Sequence, residues 1–243
     1  VTWMGFTPDI RRLARRARTV GFAARAYGAF FALAPLAWIS PLMSPRRAWP
    51  YTRNLACAML RASGFAFSVH GLKNLPRGTP CVAVSNHASY LDGLVILAAL
   101  PGAFGFVAKS ELQRNWLARV LLRALGAQFV ERFDVEKSVE DSARLVQCAR
   151  DGQSLFFFPE GTLTRAPGLM AFRMGAFQVA AQAGIPVVPI AITGTRSVLR
   201  DGSWFPHRGT LSVVISPPIV PQGTDWSASV QLRDATRAEI LRN

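Results

Sequence analysis

Lysine is almost missing from this chain of 243 residues, occurring only at Lys73, Lys109 and Lys137, although Lys and Arg together number 28 against 14 Asp and Glu. Arginine therefore carries nearly all of the formal net charge of +14. Histidine is equally scarce, at His70, His87 and His207, and nothing in the spacing of these three with Cys57, Cys81 and Cys148 offers the ligand cluster a zinc centre requires. An odd number of scattered cysteines in apolar surroundings argues against a disulfide framework and fits reduced, buried thiols. A Gly-x-Ser-x-Gly elbow, a phosphate-binding P-loop and a dinucleotide fingerprint are all missing. A serine hydrolase built from Ser85 or Ser89 is disfavoured besides, because both lie too close in sequence to His87 for the usual well-separated arrangement.

What the chain does have is positive charge without the motifs that read nucleic acid. There is no helix-turn-helix spacing, no zinc-ligand pattern and no aromatic RNA-binding block, so an anionic lipid surface is the expected polyanion and nucleic acid is not an expected partner. The length suffices for a substantial core, and without repeats or a polar linker the chain reads as one domain behind an N-terminal appendage.

That appendage, residues 1–62, is the expected membrane-associating segment. Ile10, Leu13, Ala14, Ala17 and Gly21 share one helical face, and Arg11, Arg12, Arg15, Arg16 and Arg18 occupy much of the remainder, the pattern of a basic amphipathic helix. No charge occurs from Ala26 to Ser44, but Pro35 and Pro41 interrupt the run, which is at the short end of the ~20 residues needed to span a bilayer. Entry into one leaflet is favoured over spanning, with the Arg-rich flank on the cytoplasmic side of the inner membrane. A signal peptide ending near Ala32-Leu33-Ala34 is disfavoured by Pro35, and the first helices of a soluble fold remain the other reading.

Residues 63–243 alternate between apolar strand patterns and helical spacing. Strands are expected at Phe65–Val69, Cys81–Val84, Phe104–Ala108, Gln128–Val130, Leu155–Phe158, Pro186–Ile192 and Leu211–Ile215. Helices are expected at Tyr90–Leu100, Trp116–Leu125, Ser138–Arg150, Gly175–Ala183 and Ala228–Leu241. This rhythm predicts an α/β fold with a mixed sheet covered by helices.

Two strand ends carry the polar residues. The first runs into Asn86-His87-Ala88-Ser89-Tyr90-Leu91-Asp92, placing His87 in a strand-to-helix turn and Asp92 at the helix start, where a carboxylate can hold one imidazole nitrogen while the other takes a proton. Alone, the pair reads more often as a helix cap beside an ordinary loop histidine. The second strand runs into Phe158-Pro159-Glu160-Gly161-Thr162, another polar, glycine-containing turn, and two such ends can line one crevice.

Asn86-His87 with Asp92 and Phe158-Pro159-Glu160-Gly161-Thr162 resemble the first and third signature blocks of the glycerolipid acyltransferase family, which includes the 1-acylglycerol-3-phosphate acyltransferases. Phe106–Leu112 and Gly126–Arg132 resemble its intervening blocks and Ile185–Ile190 its last, in order, across about residues 65 to 220. The resemblance implies transfer of a fatty acyl chain from acyl-CoA or acyl carrier protein to the free hydroxyl of 1-acylglycerol-3-phosphate, with no cofactor beyond the donor itself. It implies His87 as general base and Asp92 as its orienter, a triad without an enzyme serine because the acceptor hydroxyl is the nucleophile. Asn86 is expected to assist the oxyanion, Glu160, Gly161 and Thr162 to bind the acceptor, and Lys109, Arg132 and Arg173 to contact phosphate. The family commonly has Arg directly after the Glu-Gly-Thr triplet, where this chain reads Leu163-Thr164-Arg165. Either Arg165 reaches the same phosphate from two positions on, or the acceptor is another lysolipid, such as a lysophospholipid or lyso-ornithine lipid.

Overall fold

The computed structural model of the protein describes residues 8–131, 135–163, 168–199 and 202–243. Seven strands, β1 (Ala66–His70), β2 (Val82–Ser85), β3 (Gly105–Lys109), β4 (Gln128–Val130), β5 (Leu155–Phe157), β6 (Val187–Thr193) and β7 (Thr210–Ile215), form one sheet in the spatial order β1-β7-β6-β2-β5-β3-β4. Neighbours run parallel except β6 and β7, so the sheet is mixed, as the alternation predicts. The strands match their expected positions to within one or two residues.

Central strands of such a sheet are buried on both faces and need apolar residues throughout. All four residues of β2 are buried. Val82 and Val84 pack into one core and Ala83 into the other, as the two-residue period of a strand requires. Over the face of Ala83, Phe156, Val188 and Ile190 lie α2 (Pro45–Ser63), through Trp49, Ala56 and Leu60, and α3 (Asp92–Ala99), through Val95 and Ile96. The opposite face takes α5 (Val135–Arg150), α6 (Gly175–Ala183) and α8 (Trp226–Arg242), through Leu145, Phe177 and Leu232. Among the described residues after α2, the remaining α-helices are α4 (Trp116–Ala124), which packs against Ala34–Leu42 and Ser110–Arg114, and the single turn α7 (Thr195–Val198), which carries no hydrophobic period and was not expected from sequence.

The N-terminal segment is helical. Helix α1 (Pro8–Leu33) packs on α2, with Phe22, Ala23 and Ala26 buried and Phe22 edge to face with Phe65. The proline-containing stretch Ala34–Leu42 winds as a 3₁₀ helix against α2 and α4. Because α2 sits in the same core as the sheet, the boundary near residue 62 marks the end of a helix, not a gap in packing. The apolar face expected on α1 is left uncovered at Leu13, Ala17 and Gly21, and Leu13, Val20, Phe30, Phe31, Leu36, Ile39 and Leu42 are exposed. The helical run Arg16–Leu42 is long and apolar enough to cross a membrane by length and composition.

Candidate active site

Register brings the two polar strand ends together. β2 pairs with β5 as Val84 with Phe157, so three residues further on His87 comes beside Glu160. On its other side β2 pairs with β6 as Ser85 with Ile190, which brings Asn86 and His87 to the end of β6. These are the carboxyl ends of parallel strands, the edge where α/β sheets collect ligands.

His87 is held from several directions. Its Nδ1 lies 2.9 Å from Asp92 Oδ2, and that same oxygen accepts from the backbone N–H groups of Ala88 at 2.7 Å and Ser89 at 2.8 Å. An oxygen that takes two backbone donors acts as an acceptor, so Nδ1 carries the proton and Nε2 is left to accept one. Asp92 is fully buried, whereas the His87 side chain keeps 22% of its surface accessible. Phe158 stacks on the imidazole with ring centroids 4.1 Å apart and planes 18° from parallel, fixing the ring's plane as Asp92 fixes its rotation.

Glu160 and Asn86 are committed to backbone groups. Glu160 is buried, its Oε1 accepting from the His87 N–H at 2.7 Å and its Oε2 from the Met170 N–H at 3.0 Å. It thus straps the His87 turn to the loop that returns toward α6. The Asn86 side chain donates from Nδ2 to the Ile192 carbonyl at 2.9 Å and accepts at Oδ1 from the Ile192 N–H at 2.8 Å. With both polar atoms on β6, this amide prolongs the β2–β6 pairing by a side-chain rung. Gly161 adopts φ +74° and its N–H donates to the Phe158 carbonyl at 3.0 Å, so a tight turn requires the glycine of this block.

Cavities lined by described residues open along this edge. One of about 630 Å³ is bordered by His87, Tyr90, Phe106, Lys109, Phe158, Gly161 and Thr162. A second, of about 180 Å³, meets His87 from the α8 side beside Asn86, Glu160, Thr193 and Arg196. The third, of about 310 Å³, adjoins the first at Val107, Phe158 and Gly161 and is bordered by Arg173 and Asp141. The structure therefore gathers His87, Lys109, Gly161 and Thr162 on one cavity, Asn86 and Glu160 with His87 on another, and sets Arg173 on the third. Arg132 and Arg165 lie outside the described residues. Among the described residues no group of three or more His, Cys, Asp or Glu side chains is placed to hold a metal ion.

Sequence reading assigned no role to Phe158 or Ser89. Phe158 had a signal, an aromatic residue closing a buried strand directly before a polar turn. Ser89 is buried and its hydroxyl donates to the Leu199 carbonyl, a contact across 110 positions with no local signature.

The model of the Acyltransferase family matches residues 66–193, just over half of the chain and all of the strand ends described above. The chain belongs to this family. Among relatives of the acyltransferase, a chloroplastic 1-acyl-sn-glycerol-3-phosphate acyltransferase of Brassica napus, BAT2, is 36% identical over 159 residues, 65% of this chain and 46% of that protein. A 1-acyl-sn-glycerol-3-phosphate acyltransferase of Borreliella burgdorferi is 25% identical over 157 residues, 65% of this chain and 63% of that protein. The alignment thus spans less than half of the Brassica protein. The crystal structure of the 1-acyl-sn-glycerophosphate acyltransferase PlsC from Thermotoga maritima superposes with a TM-score of 0.74 over 94% of this chain and 97% of that one, at 19% identity, so the two share a fold.

Proposed function

We propose that this acyltransferase is a membrane-associated O-acyltransferase that moves a fatty acyl chain from acyl-CoA or acyl carrier protein to the free hydroxyl of 1-acylglycerol-3-phosphate, giving phosphatidate. The observation that carries the chemistry is the His87 imidazole, pinned at Nδ1 by a buried carboxylate and bordering two cavities. The names of its relatives support the acceptor.

In this reading the acceptor hydroxyl gives its proton to His87 Nε2 as its oxygen attacks the thioester carbonyl. The resulting tetrahedral oxyanion collapses, the carbon–sulfur bond breaks, and the leaving thiolate takes the proton back from the imidazolium. Asp92 stabilises the imidazolium and keeps the ring in register. The acceptor is the nucleophile, so no acyl-enzyme is formed. The larger cavity takes the lysolipid, with Lys109 and Thr162 near its head group, and the smaller one receives the donor's thioester arm. Glu160 and Asn86 act on the substrate indirectly, by positioning the His87 backbone.

The uncovered apolar side chains of α1 and of Ala34–Leu42, beside the arginines of α1, support peripheral or monotopic attachment to an anionic membrane. The same arginines support the cytoplasmic face of the inner membrane.

One observation favours a different acceptor: Leu163 stands where the family commonly has the phosphate-binding arginine. A panel of lysophosphatidate, lysophosphatidylcholine, lysophosphatidylethanolamine and lyso-ornithine lipid, assayed with one labelled acyl donor, separates the readings. Lysophosphatidate is expected to be preferred, and Lys109→Ala and Arg165→Ala to raise its KM about ten- to a hundredfold while sparing the donor's, as loss of a charge-assisted phosphate contact would. Preference for a lysolipid without a phosphate monoester, with Arg165→Ala silent, replaces lysophosphatidate by that acceptor.

A further inference from the structure

The loop between α7 and β7 exposes two aromatic residues, Trp204 at 74% and Phe205 at 40%. They are not isolated from the N-terminal segment. On α1, Phe30 and Phe31 are also exposed and meet edge to face, with centroids 5.7 Å apart. Phe31 stacks on Tyr27 at 6.1 Å, and the Tyr27 hydroxyl donates to the Trp204 carbonyl. The Trp204 indole then stacks on Tyr90, centroids 5.8 Å apart and planes 10° from parallel. Arg208, at the far end of the same loop, sits over the Phe22 ring of α1 at 5.9 Å. One aromatic strip thus runs from α1 across this loop to Tyr90, which borders the His87 cavity.

Exposed aromatic rings in contact with one another cost hydration free energy in water. Rings with a polar handle, Trp and Tyr, are favoured at the depth of lipid head groups. Arg12, Arg16 and Arg18, exposed on α1, supply the complementary charge for an anionic surface. We propose that the loop around Trp204 and Phe205 is a second membrane contact, seating both rings in the head-group region of an anionic phospholipid bilayer alongside α1. This rests on the membrane attachment put forward above and adds an element that lies far from the N terminus in sequence. The loop also holds the catalytic turn: Trp204 stacks on Tyr90, and the Leu199 carbonyl accepts from Ser89. A docked loop therefore fixes the rim of the His87 cavity against the bilayer, where a single-chain lipid acceptor arrives.

The full chain, with Trp204→Ala, Trp204→Phe and, as an exposed tryptophan remote from the strip, Trp226→Phe, is compared in flotation with phosphatidylglycerol-containing and phosphatidylcholine vesicles. Quenching of tryptophan emission by brominated phospholipid is read in parallel, and circular dichroism reports folding. Trp204→Ala is expected to weaken partition onto anionic vesicles about tenfold, the effect of withdrawing one large apolar side chain from burial. Trp204→Phe should remove a lipid-quenched component that Trp226→Phe retains, a readout that does not depend on the alanine variant folding. Vesicle-bound wild type whose quenching and partition are both unchanged by the Trp204 variants overturns the loop contact and leaves the N-terminal attachment standing. Failure of the wild type to bind vesicles of either composition overturns both.

Discussion

Two cavities of nearly equal volume lie at opposite ends of the sheet. One, of about 630 Å³, opens at the carboxyl ends of the strands beside His87. The other, of about 650 Å³, opens at the amino ends and is bordered by Lys73, Arg77, Cys81 and Ser154. Among the described residues, the two buried carboxylates, Asp92 and Glu160, both stand at the first end. At the second, the charged side chains are exposed, and Cys81 N–H donates to the half-buried Ser154 Oγ at 3.2 Å. Volume does not make a site. Burying a charge is costly unless several donors meet it, and here the turns after β2 and β5 supply those donors to Asp92 Oδ2 and to Glu160.

The strongest way to break the comparison is His87→Ala. Loss of the proposed general base is expected to reduce turnover ~10²- to 10⁴-fold with little change in melting temperature. Asp92→Asn should impair turnover less than His87→Ala. A folded His87→Ala protein with near-normal turnover would remove the catalytic end of the contrast.

A middle-sized effect is expected from Glu160→Gln. The amide keeps one acceptor oxygen but presents N–H groups to the second backbone donor, so an unmet buried donor costs about 1–3 kcal/mol locally. The His87 turn should loosen, lowering kcat about tenfold or more while the acceptor KM stays near its original value. A selective rise in acceptor KM instead would mean that Glu160 touches the acceptor directly.

The smallest effects belong to the far end. Arg77→Ala should change neither kcat nor KM by more than about twofold, as expected of an exposed residue outside the site. Burial pushes the Cys81 thiol from 9.0 up to about 11. Its raised value keeps the folded thiol neutral while the unfolded one ionises, so this contribution to stability is fully present below about pH 9 and lost as pH rises through about 11. Alkylation of folded protein near pH 8 should therefore spare Cys81, with labelling appearing only on unfolding, as mass spectrometry of digested protein would show.

Much of the fold was legible because strand and helix periods are local properties. Leu155–Phe158 and Cys81–Val84 read as buried strands without any partner in view, and the strands lie at Leu155–Phe157 and Val82–Ser85. The turn α7 was not legible, since Thr195–Val198 is too short to show a period. At the site, His87 and Asp92 became legible through a second polar strand end beside their five-residue spacing, which a strand-to-helix turn closes into contact. Asn86 and Glu160 read as ligand contacts in sequence, and three-dimensional pairing engages them with Ile192, His87 and Met170. Nothing local to either residue announces partners that lie 10, 73 or 106 positions away.

The sequence by itself determined the alternation of elements, the basic amphipathic start and the two polar strand ends, because each is written in the spacing of side chains along one segment. Only the tertiary structure decided that these ends are neighbours. The order β6-β2-β5 sets residues 86 and 87 between Ile192 and Glu160, and the register of parallel ladders carries that proximity past the strands into the turns. The same holds for the aromatic strip. Tyr27, Tyr90 and Trp204 belong to three separate segments until the fold stacks Trp204 on Tyr90, at the rim of the His87 cavity, and hydrogen-bonds Tyr27 to the Trp204 carbonyl.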